Sequence, residues 1–110
     1  MKTLLTTTLL LIALYTNAQV KMIETDSLHN NGLEMKKLYV FYYTDKYINF
    51  GEKEEDKEDY TFMTLTSKNQ RVLLGRVYNV YTTTGDYTIF IREDEKEIMF
   101  IGDKGSFVFY

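Results

Sequence analysis

The chain has 110 residues, with 13 basic and 16 acidic side chains and a net charge of −3. A mildly acidic chain without a basic cluster is a poor partner for nucleic acid or for an anionic membrane surface. It has no cysteine, so disulfide staples, thiolate metal sites and a lipid-bearing cysteine are all excluded.

Met1-Lys2 makes a short positive start, Leu4 to Leu14 an apolar stretch, and Thr16-Asn17-Ala18 a small-residue junction. This three-part layout predicts a secretory signal peptide over 1–18, cut ahead of Gln19. The apolar part is about eleven residues, inside the ~7–15 of a signal core and short of the roughly 18–20 of a membrane span. No comparable stretch follows, so no membrane span is expected in the processed chain. The expectation is an exported protein, periplasmic or secreted, with 19–110 as one domain.

Residues 19–37 predict a weak strand and a loop. Val20, Met22 and Leu28 could support the strand, and His29-Asn30-Asn31-Gly32 is a turn signal. Leu38–Tyr43 is a clear strand, Thr44-Asp45 a tight turn, and Lys46–Phe50 the returning strand. Gly51–Asp59 carries six acids and two lysines and nothing apolar past the glycine, so it predicts a solvated loop. Tyr60–Thr66 alternates as a strand and Ser67–Gln70 reads as a polar turn. Arg71–Thr84 is long for one strand. The apolar phase slips at Gly75, which predicts a bulge or sharp bend there. Tyr87–Arg92, Ile98–Ile101 and Ser106–Tyr110 form the last strands, separated by a charged turn at Glu93–Lys96 and by Gly102-Asp103-Lys104-Gly105.

Helical periodicity is nearly absent. The fold class is therefore all-β: a small antiparallel meander of about seven to eight short strands, curled into a barrel-like shape or a compact sandwich. Small eight-stranded ligand-binding barrels share that architecture, as an analogy of shape. Transmembrane barrels need strands of about 9–11 residues, longer than the segments expected here.

Catalytic patterns are weak. The single histidine, His29, lies in the least regular segment, and Ser27, Ser67 and Ser106 fall in or beside turns. One histidine and no cysteine argue against zinc. The acidic loop lacks the spaced pattern and internal glycine of a calcium loop. Asp86, Glu93, Asp94 and Glu97 could pair as carboxylates for hydrolysis, but all are turn residues. No catalytic residue, metal site or cofactor is expected, and the chain is not read as an enzyme.

The aromatic content is the remaining signal: ten tyrosines and seven phenylalanines, with no tryptophan. Tyr39, Tyr42, Tyr43, Tyr47, Tyr78, Tyr81 and Tyr87 exceed what one small core can hold. Tyr39, Tyr42, Tyr47, Tyr78, Tyr81 and Tyr87 are the candidates to line a pocket for an apolar or sugar-like ligand. The competing reading has these rings stack across strands and stiffen the sheet. Function is thus expected to be binding, of a small molecule or a protein partner. An assembly module recruited through an edge strand is the alternative, followed by a small carboxylate-dependent hydrolase.

Overall fold

A computed structural model describes residues 19–110. The predicted leader lies outside the described residues. Eight strands follow in order: β1 (Lys21–Asn30), β2 (Leu33–Tyr43), β3 (Tyr47–Glu52), β4 (Thr61–Leu73), β5 (Arg76–Thr83), β6 (Tyr87–Arg92), β7 (Ile98–Gly102) and β8 (Gly105–Phe109). One 3-10 turn, Lys57–Asp59, interrupts the β3–β4 connection.

Each strand pairs antiparallel with its sequence neighbour, and β8 returns to β1, so the meander closes as a barrel rather than a sandwich. Closure is made by the residue pairs Leu28–Phe109, His29–Val108 and Asn30–Phe107, continued by backbone hydrogen bonds between Tyr110 and Ser27. The period-two alternation decides which residues face in. Ile89 and Ile91 of β6 sit opposite Phe100 and Ile98 of β7, and all four are buried. Phe41 of β2, Ile48 of β3 and Tyr81 of β5 are as fully enclosed. Burial of each such side chain contributes roughly 1.5–3 kcal/mol. An inward apolar core, with β6, β7 and β8 only 6, 5 and 5 residues long, is the reverse of a membrane barrel's polar interior and long strands.

Three places differ from what the sequence predicts. Where 19–37 was expected to hold a weak strand and a loop, β1 takes 10 residues and β2, 11 residues long, begins at Leu33, five residues ahead of the expected Leu38, with the turn at Asn31-Gly32. Ser67–Gln70 is strand, not turn: β4 runs 13 residues to Leu73. Gly75 is neither bulge nor bend within a strand. It forms with Leu74 the two-residue turn of the β4–β5 hairpin, both at positive φ, 49° and 77°. The phase slip in the sequence was the chain reversing. A register shift does occur in β4, between Leu65 and Ser67.

Beyond Thr64, β4 leaves β3 and pairs with β5 alone. Residues 66–73 of β4 lie as an arm along β5, which β6 holds from Tyr78 to Thr82, and the tip past Arg71 carries the exposed Val72, Leu73 and Leu74.

Candidate ligand cavity

The barrel's two ends are built differently. At the end carrying the 44–46 and 93–97 turns, two tyrosines plug the interior. The Tyr43 hydroxyl donates to Glu95 at 3.4 Å and the Tyr81 hydroxyl to Asp45 at 3.3 Å. Lys21 lies over the Tyr43 ring at 6.0 Å and Lys68 over the Tyr81 ring at 5.9 Å, within cation–π range. Burial first, and the neighbouring carboxylates second, push both phenols up: Tyr81 to about 12, Tyr43 further. These groups stay neutral and hold the end shut.

The opposite end is open. Between the strands lies a cavity of about 480 Å³, in the range of small-molecule sites. Its walls are the rings of Tyr39, Phe50, Tyr87, Phe100, Phe107 and Phe109, with Leu28 and Met63 beside them. The rings pack on one another: Phe50 on Phe100 at 4.8 Å and Tyr39 edge-on to Phe109 at 5.0 Å. Gly102 faces Tyr87, and a Cβ there would come within 2.8 Å of that ring. The glycine lets Tyr87 lie close against β7.

The mouth is acidic. Glu52, Glu55 and Asp59 line it, and no lysine, arginine or histidine does so among the described residues. Glu52 reaches Lys37 at 2.8 Å, and its backbone N–H donates to Glu55 Oε2 at 3.3 Å. Tyr39 is shifted up by burial and then by Glu52. Across the sheet from Tyr39 stands Thr25, whose Oγ1 is buried without a hydrogen-bond partner.

Of the tyrosines proposed from sequence, Tyr39 and Tyr87 line this cavity. Tyr81 points inward but fills the sealed end. The structure places Tyr42, Tyr47 and Tyr78 on the outer face. Tyr47 stacks on Phe62 at 5.5 Å, Lys57 lies 5.3 Å over Tyr42, and Tyr78 packs against Phe90 and donates to Glu97 at 2.7 Å. Sequence reasoning missed the four phenylalanines and the three carboxylates. Only tyrosines were weighed as pocket residues, and the acids were placed in a solvated loop. The available signal was that Phe100 and Phe107 share the inward phase of their strands next to one turn.

The four hydrolytic candidates divide between the ends: Asp86 in the turn before β6, Glu93, Asp94 and Glu97 in the turn after it. Arg92 holds Asp94 at 2.6 Å, and this hydrogen bond keeps the carboxyl below its ordinary range. Ser27 donates to Asp26 and Ser67 shares a hydrogen bond with Thr82, while His29 stands exposed in β1. No group of three or more potential metal ligands occurs among the described residues, and none of their helices is long and apolar enough to cross a membrane. No family model matches the chain, and no curated protein or solved structure matches it significantly.

Proposed function

We propose that the chain is exported and that its barrel binds a small, largely apolar ligand without transforming it. One observation carries this reading: a cavity of about 480 Å³ walled by six aromatic rings and open at one end. A small barrel bent on stability alone would fill that end as it fills the other. Native mass spectrometry of the processed protein, purified from its own host, tests the proposal. The expected result is one retained small molecule per chain, lost in Met63→Trp, which fills the cavity from β4. Apo protein throughout, or an adduct that persists in the folded variant, overturns it.

The β4 arm favours a second reading, an interaction module. Along Ser67–Leu73, β4 pairs on one side only, which suits addition of a partner's strand. The apolar tip at Val72–Leu74 would support it. A partner captured by the native chain and lost when Leu73 is changed to Lys would shift the assignment to that surface.

A further inference from the structure

We infer that the cavity selects a cation: an amine or quaternary ammonium whose apolar body enters the barrel while its charge stays at the mouth. This inference rests on the ligand-binding reading above and gives that ligand its chemistry. Three features of the one site converge on it. The first is the wall of six aromatic rings, since an aromatic face attracts a cation that reaches it. The second is the rim, which Glu52, Glu55 and Asp59 line. Lys37 occupies Glu52 at 2.8 Å, but its ammonium lies outside the lining, and Glu55 and Asp59 leave the mouth net negative. A low-dielectric funnel edged with one sign of charge concentrates ligands of the other sign.

The third feature is what the lining lacks. Carriers of fatty acids or other apolar anions need a basic or strongly donating group where the carboxylate rests. No cationic side chain lines this cavity among the described residues. An anion would meet carboxylates at the entrance and, inside, only the neutral hydroxyls of Tyr39, Tyr87 and Thr61 as side-chain donors. A neutral molecule would enter on its apolar surface alone. A cation gains from both rim and rings.

Isothermal titration with three probes of equal chain length separates the cases: n-octyltrimethylammonium, n-octanol and n-octanoate. The ammonium is expected to bind about tenfold or more tightly than the alcohol, as a carboxylate pair near a surface allows, with octanoate the weakest. Raising the salt concentration should weaken the ammonium selectively. The double variant Glu55→Gln/Asp59→Asn changes two exposed loop residues, so circular dichroism should be unchanged. In it the ammonium-to-alcohol affinity ratio should collapse towards one. Octanoate binding as tightly as the ammonium, or a ratio that survives the double variant, overturns the inference. Octanol binding with no gain for the ammonium removes the charge preference and leaves the cavity reading standing. Absence of binding by all three removes both.

Discussion

Two residues show how much a single side chain decides in this small barrel. Leu74 occupies the first position of the β4–β5 turn at φ 49° and is fully exposed, at 101% of its reference area. The left-handed region costs a branched L-residue roughly 1–2 kcal/mol, and asparagine tolerates it better. The β1–β2 turn already uses Asn31-Gly32, at φ 49° and 92°. Leu74→Asn should therefore stabilise the protein by about 0.5–1 kcal/mol, read as a higher urea midpoint at unchanged slope. Tyr81 acts through its proton. Its phenol titrates from 10.0 in the unfolded chain to about 12 in the fold, because burial and then Asp45 disfavour the phenolate. A raised native pKa means that the folded state holds its proton more tightly. That stabilisation is complete below pH 10 and drains away as pH climbs through 12. Stability measured across this window should fall steeply in the native protein. The fall should be shallower in Tyr81→Phe, which has no proton there to lose.

At the scale of elements, strands with strict alternation were legible and strands that pair through polar residues were not. β6, β7 and β8 read directly from Ile89, Ile91, Ile98, Phe100 and Phe109, because one face is apolar and the turns between them are charged or glycine-rich. The far half of β4 reads Ser-Lys-Asn-Gln, a sequence with turn propensity. Pairing overrides it: Ser67 and Thr66 hydrogen-bond Thr82, and Gln70 donates to Asn79. Strand propensity describes a fit to neighbours more than an intrinsic preference, and those neighbours lie after a turn that the leucine at 74 disguised. The acidic segment was recognised as a loop, yet its place over the cavity depends on where β3 and β4 stop. The arm should behave as a separate unit in native-state hydrogen exchange. Its β4 edge has no partner beyond β5 and its side chains from Thr66 to Leu73 are exposed, so amides of 67–73 should exchange by local opening, well before those of Ile89 and Ile91. Equal protection of arm and barrel would show that the arm is held by something more than β5.

For the whole molecule, the decisive event is closure, and closure was the least legible feature. No local pattern announces that Leu28 meets Phe109, a contact between the two ends of the domain. Such a contact must repay the loop entropy of nearly the entire chain. Phe109 is placed to do so. It is 4% exposed and meets Phe41 at 4.9 Å, Tyr39 at 5.0 Å, Phe100 at 5.7 Å and Phe50 at 6.2 Å. It therefore touches the packed core and the cavity wall at once, from the strand that completes the barrel. Phe109→Ala should cost about 3–5 kcal/mol, a large part of the roughly 5–15 kcal/mol that holds a domain of this kind together. Val108→Ala is the comparison, on the outward side of the same strand and only partly buried. It keeps the backbone pairing and should cost near 1 kcal/mol. With no disulfide to restrain the ends, the difference between these two variants measures how far the aromatic cluster, rather than the backbone ladder, keeps the barrel shut. Equal losses would assign closure to the backbone instead, and the ring cluster would then be a wall of the cavity alone.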